Sequence, residues 1–249
     1  MRMNARTASI GTAIAVAGML LAGASATSAT TAGADRSHGA GPRWSSSLDT
    51  ASSAMPTAED PQVADHAIAS VHTREADAKG VASAVATSDC DGCAATSTVF
   101  QVVYVDGRRA VASADNSAAA WSSCVDCSSS AVSVQLVVAR DPVELNVNNR
   151  ALALNVECDT CATSAAAIQF VLAGGTKRDL TAASRQLISE IEEQLADRLA
   201  EATAPSARGL DAAAAQGLAD DTAERLEAII LSDLGGASLE RSVDVQIAG

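Results

Sequence analysis

Aromatic side chains are almost missing from this 249-residue chain, which has two Phe, two Trp and one Tyr. Hydrophobic residues still make up 48% of it, so that share is mostly Ala and Val. Small side chains bury little area each, and a core built from them suits close backbone approach, not thick layers. Basic residues are scarce too: 17 Lys and Arg stand against 30 Asp and Glu, a formal charge of −13. A surface of that sign repels nucleic acid and anionic lipid, which argues against binding driven by phosphate contacts. Histidine is limited to His38, His66 and His72, all ahead of the first cysteine. The chain has no G-x-S-x-G, no nucleotide-binding glycine loop, and no His-Asp-Ser set within its repeats. These absences leave no catalytic residue and no cofactor to name.

Long hydrophobic runs are also rare. The one uncharged apolar run, Ile10 to Ala22, follows Arg2 and Arg6 and precedes Ala24-Ser25-Ala26. A basic start, a short apolar centre and a small-x-small site make residues 1–26 an export signal with cleavage. The run is shorter than the ~20 residues a spanning helix needs, and no later stretch supplies one, so no stable membrane span is expected after cleavage. Cleavage would remove two positive charges and no acids, taking the formal charge from −13 to −15.

What is present is a motif written three times. Cys90-Asp-Gly-Cys93, Cys124-Val-Asp-Cys127 and Cys158-Asp-Thr-Cys161 are C-x-x-C pairs, and both intervals between first cysteines are 34 residues (124 − 90 and 158 − 124). Eleven residues after each first cysteine stands a glutamine: Gln101, Gln135 and Gln169. Val103, Val137 and Val171 follow two further on, and turn residues recur at Asp106-Gly107, Asp141-Pro142 and Gly174-Gly175. An internal repeat of this length decides architecture before any local reading does. In copy three, Ala151-x-Ala153 precedes the cysteines, and Ala165-x-Ala167-x-Gln169-x-Val171 follows them. The period is two, so these residues share one face of an extended segment. The other face is assigned Val99; Val132, Val134 and Leu136; and Ile168, Phe170 and Leu172, with copy one shuffled. Both faces are largely apolar, as in strands covered on two sides. Val143-x-Leu145-x-Val147 adds a further candidate strand. The rival reading is a helix-turn-helix array, which shares the 34-residue period, but β-branched residues at spacing two favour strands.

The flanks differ. Residues 27–79 are rich in Ala, Ser, Thr and Gly without sustained periodicity, and read as a flexible arm carrying the three histidines as scattered solvated residues. From Asp179 the period becomes helical: Leu180, Leu187, Ile188, Ile191, Leu195 and Leu199 form a stripe, with Glu190, Glu192, Glu193 and Asp197 largely off it. Thr181 or Asp179 caps the start and Pro205 marks the stop. A second helix runs from near Leu210 to Ser232 and ends at Gly235-Gly236, and Val243-x-Val245-x-Ile247 offers an edge strand. The expected fold class is α+β: a β-rich core of three ~34-residue repeats over 80–178, then a C-terminal helical hairpin within 179–249.

Three roles compete for the cysteines. Export, an even count of six and a fixed repeat position favour disulfide staples, with each C-x-x-C closing on itself by proximity. Closing so short a loop is worth roughly 2 kcal/mol. Two pairs together would also make a tetrahedral Cys₄ zinc site, although three pairs leave one over. Thiol–disulfide exchange is the third. A redox pair opens a helix whose N-terminus favours the thiolate, whereas Asp89, Asp91, Asp126, Glu157 and Asp159 surround these pairs and oppose it. The glutamines, stacked in register, would form a hydrogen-bonded ladder; a ligand-binding row is the alternative.

The tandem pattern A-x-A…C-x-x-C…A-x-A-x-Q-x-V, over about Ala82 to Gly175, resembles uncharacterised secreted or envelope proteins of actinobacteria. A similar repeat occurs at the tail of some proteins labelled putative peptide zinc metalloproteases. The resemblance implies no activity, and the H-E-x-x-H helix of such proteases is absent, so no catalytic residue carries over. The expectation is an exported, non-enzymatic structural or interaction protein of the cell envelope with an unknown envelope partner.

Overall fold

The computed structural model describes residues 48–74, 77–106, 111–139, 144–176, 179–203, 211–236 and 238–248. The expected export signal (1–26), the first part of the arm (27–47, with His38), Gly107, Asp141-Pro142 and Pro205 lie outside the described residues. Eight strands come first: β1 (Thr50–Ala54), β2 (Gln62–Thr73), β3 (Asp77–Ser88), β4 (Ala94–Val105), β5 (Val111–Ser122), β6 (Ser128–Ala139), β7 (Glu144–Asn155) and β8 (Ala162–Ala173). Helices α1 (Ala182–Thr203) and α2 (Ala212–Leu234) and a last strand, β9 (Ser238–Ala248), complete the order.

The chain alternates between two sheets, of order β1-β3-β5-β7 and β2-β4-β6-β8-β9. All neighbours are parallel except β8 and β9. The molecule is therefore a β-solenoid of about three turns with two C-terminal helices. The pairing steps are 32 residues for Thr50↔Ala82 (82 − 50), 34 for Asp77↔Val111 (111 − 77) and 33 for Val111↔Glu144 (144 − 111). The winding thus begins ahead of the first cysteine pair. Residues 50–73, assigned to the flexible arm, form β1 and β2, and His66 and His72 lie on β2 rather than in solvated coil.

Alternation divides each strand. The space between the sheets is filled by alanine, including Ala82, Ala84, Ala118, Ala120, Ala131, Ala165 and Ala167. Side chains of that size let two sheets approach closely. The outer face of the β2-containing sheet is bulky instead: Phe100, Val102 and Tyr104, Val134 and Leu136, and Ile168, Phe170 and Leu172 pack under α1 and α2. Copy one is not shuffled. Phe100 pairs with Val134 and Gln101 with Gln135, so Val99 faces inward with the alanines, opposite Ser133. Among the described residues the other sheet is covered on its inner side alone, and the outward Trp121, Leu152 and Leu154 of β5 and β7 are exposed. Two-sided burial therefore holds for one sheet and not for both.

The helices have local reasons to start and stop. The Thr181 hydroxyl accepts from the N–H of Ser184 ahead of α1, Asp211 accepts from Ala214 N–H at the start of α2, and Gly235 takes a positive φ of 63° at its end. Ile188, Ile191, Leu195 and Leu199 face the sheet, but Leu187 is exposed. Glu192, placed off the apolar stripe by the sequence, is fully buried within it. Among the described residues, no helix is long and apolar enough to cross a membrane.

Candidate functional site

The C-x-x-C motifs occupy one corner of the solenoid, where the chain passes from one sheet to the other. Five residues join β3 to β4 (89–93) and β5 to β6 (123–127), and six join β7 to β8 (156–161). The one-residue difference reconciles the 33-residue step on one side of this corner with the 34-residue step on the other (Ser128↔Ala162). These tight corners demand left-handed backbone at Gly92 (φ 71°), Asp126 (54°), Glu157 (50°) and Thr160 (56°). Glycine takes that conformation at little cost, and Asp tolerates it better than most residues.

Each pair closes on itself, as Cys90–Cys93, Cys124–Cys127 and Cys158–Cys161. Successive corners are then joined turn to turn. Gly92 N–H donates to Val125 O (2.9 Å), Val125 N–H to the Asp91 carboxylate (2.9 Å), and Asp126 N–H to Asp159 O (3.0 Å). The Thr160 hydroxyl donates to the Asp126 carboxylate. Two of the acids that oppose a reactive thiolate are thus occupied in holding the stack.

The sulfurs are not evenly spaced along it. Cys127 Sγ lies 3.2 Å from Cys161 Sγ and 4.0 Å from Cys158 Sγ. The second and third pairs form one cluster, which Cys90 and Cys93 do not join. Cys93 Sγ faces the carbonyl of Thr57 at 3.9 Å instead. Cys127 is 1% exposed.

Inside the solenoid the three glutamines form one chain of hydrogen bonds. Gln169 Nε2 donates to Gln135 Oε1 and Gln135 Nε2 to Gln101 Oε1, both at 2.7 Å. Gln101 Nε2 ends the chain on Leu48 O (2.6 Å) and Thr50 Oγ1 (2.9 Å). Each amide also donates to a backbone carbonyl of the facing sheet: Val81 for Gln101, Asp115 for Gln135 and Ala114 for Gln169. The row is internally satisfied and closed to solvent, which suits a support and not a ligand row. A shorter asparagine pair runs beside it, with Asn116 Nδ2 donating to Asn149 Oδ1 at 2.8 Å.

Sequence reasoning passed over two further groups. His72 is buried and stacks on Tyr104 at 4.5 Å between ring centres. Its Nδ1 lies 3.1 Å from Asp106 and its Nε2 2.8 Å from Asp179. The Tyr104 hydroxyl accepts from Leu180 N–H (2.7 Å), and burial pushes its pKa up to about 12. Together they fasten the approach to α1 onto β2 and β4. His66 links Thr98 (2.6 Å) to Ser189 of α1 (2.9 Å). The signal that could have found both is the pairing of β2 with β4, His72 opposite Tyr104, which carries no cysteine to mark it.

Fold and corner together define a disulfide-stapled, two-sheet β-solenoid with a helical cover on one face. Comparison of the chain with protein-family models, curated proteins and solved structures finds no match.

Proposed function

We propose that this chain is an exported, non-enzymatic structural or interaction protein of the cell envelope, with its C-x-x-C pairs serving as disulfide clips. The observation that carries this reading is the closure of each pair on itself at the same corner of successive turns. Each clip lies between two strands and opens no helix, so it lacks the following helix N-terminus that favours a reactive thiolate. Export rests on the pattern of Met1 to Ala26 and on the even cysteine count. The alanine interior gives the clips a purpose, because it offers less apolar area per residue than a core of large side chains.

The test is intact mass with thiol and metal counting on the secreted protein, with and without reductant. The expected result is six hydrogens fewer than the reduced chain, no free thiol and no metal, with peptide mapping returning the three local pairs. Free thiols with bound zinc would overturn the reading in favour of a metal module. A mixture that equilibrates with glutathione would overturn it in favour of redox chemistry.

A further inference from the structure

The contact between the second and third cysteine pairs gathers four sulfurs at one corner, Cys124, Cys127 and Cys161 buried and Cys158 partly so. Cys124, Cys127 and Cys161 have their Sγ atoms within 4.8 Å of one another, and Cys158 Sγ is 4.0 Å from that of Cys127. In a tetrahedral thiolate site with zinc–sulfur bonds of about 2.3 Å, neighbouring sulfurs stand ~3.8 Å apart. The two separations from Cys127, 3.2 and 4.0 Å, bracket that value, while Cys158 falls outside the compact group of Cys124, Cys127 and Cys161. Once reduced, each pair must open from bonding distance to ~3.8 Å, and Cys158 must swing towards Cys124, for all four sulfurs to face a common centre. We propose that Cys124, Cys127, Cys158 and Cys161, when reduced, form a four-thiolate site for a divalent ion of the zinc class, and that Cys90 and Cys93 take no part in it.

The same distances argue against passing a disulfide along the stack. Exchange requires a thiolate to approach in line with the bond it breaks. With an ordinary S–S bond of about 2.05 Å, the separations from Cys127 to Cys161 and Cys158 place Cys127 at roughly 100° to the Cys158–Cys161 bond, side-on to it. Side-on sulfurs are poorly placed for displacement but well placed to share a cation. The electrostatics agree. Asp126 and Asp159 sit in the two loops, and carboxylates disfavour bare thiolates while favouring a cation among them.

The chemistry balances with a reductant of the thiol or phosphine class. Each disulfide takes up two electrons and two protons, so two disulfides give four thiols. Binding the ion then releases the four protons, leaving a four-thiolate complex of net charge −2. The corner would thereby stay cross-linked in either state, by two S–S bonds when oxidised and by one metal when reduced. This inference concerns the reduced protein and does not rest on the compartment proposed above. A protein secreted with three disulfides whose reduced form ignores metal would sink this inference alone. One isolated with thiols and zinc would sink the disulfide reading alone.

The experiment is an anaerobic titration of the phosphine-reduced full chain with Co²⁺, read by its visible absorption, followed by Zn²⁺ displacement. We expect one Co²⁺ per chain with the intense bands of a tetrahedral thiolate site, displaced by one equivalent of Zn²⁺. The C90S/C93S variant should keep this site, while C124S/C127S and C158S/C161S should each lose it. Because a variant can misfold, the reduced wild-type chain is also alkylated with and without Zn²⁺ and mapped. Protection is expected at Cys124, Cys127, Cys158 and Cys161 and not at Cys90 or Cys93. Weak octahedral cobalt bands, no stoichiometric binding, or protection of all six thiols alike would overturn the inference.

Discussion

The Asp244 carboxylate on β9 reaches across to the other sheet and accepts a 2.7 Å hydrogen bond from the backbone N–H of Ala151 on β7. β7 is the outermost strand of its sheet at this end, as β1 is at the other. There Asp65 of β2 does the same, accepting from Ser53 N–H and the Ser52 hydroxyl, each at 2.8 Å. Outermost strands carry unpaired N–H groups that template pairing with another chain. Replacing Asp244 by Ala leaves the Ala151 N–H without its acceptor, at a cost of about 1–3 kcal/mol. The D244A variant should therefore unfold at lower urea concentration and associate more strongly with rising concentration, the latter read by sedimentation velocity. D65A/D244A should associate further still. Unchanged midpoints together with unchanged sedimentation would show that these carboxylates guard nothing.

Gln135 is the middle of the inner ladder, and its loss is felt on both sides. It donates to Gln101 and accepts from Gln169, so Gln135→Leu breaks both links and strands the buried Gln101 carbonyl, while the Gln169 amide keeps Ala114 O and Asn148 O as acceptors. Gln169→Leu at the end of the row removes one such link. Each orphaned buried group costs about 1–3 kcal/mol. Urea unfolding should place Q135L below Q169L in stability, because it breaks two links of the row and not one. Equal losses, or the reverse order, would mean that the glutamines act singly and not as a chain.

Legibility in the sequence followed the cysteines. The 34-residue spacing marked the turns from Ala82 onward, and the period of two separated Gln135 and Ala131 from Val134 and Leu136. The first turn steps by 32 and has Asp60-Pro61 where the next copy has Gly92 and its second cysteine, Cys93, so β1 and β2 passed for an arm. His72 went with them, because a histidine between two aspartates becomes visible only once β2 is laid beside β4. The asymmetry between the sheets was hidden for another reason. Alternation identifies two faces of a strand, but whether the helices cover one sheet or both is a matter of connection length and not of composition. Contact between the second and third cysteine pairs depends on corner geometry that spacing does not carry.

Glu192 offers the sharpest pH test, because it contradicts the helical pattern that predicted it outside. It is fully buried beneath α1, and neither carboxylate oxygen has a hydrogen-bond partner within 3.5 Å. Burial pushes its pKa well above the ordinary 4.5; the backbone at Val99 and Val134 opposes the shift and neighbouring Glu193 adds to it. The folded protein therefore holds this proton over a range where the unfolded chain has released it. Below pH 4.5 both states are protonated and the residue imposes no pH-dependent penalty. As pH rises from there towards the raised folded value, the unfolded state is favoured by about 1.4 kcal/mol per pH unit. Above the folded value both states are ionised and the loss levels off. A glutamine in place of Glu192 would carry a neutral group of the same shape at every pH. The difference in unfolding free energy between Glu192→Gln and the parent should therefore be flat below pH 4.5 and then grow in favour of the variant as pH rises. Urea unfolding of both proteins across that range measures it directly. A difference that stays constant with pH would show that Glu192 ionises as readily folded as unfolded, with the C-terminal helices letting water reach it.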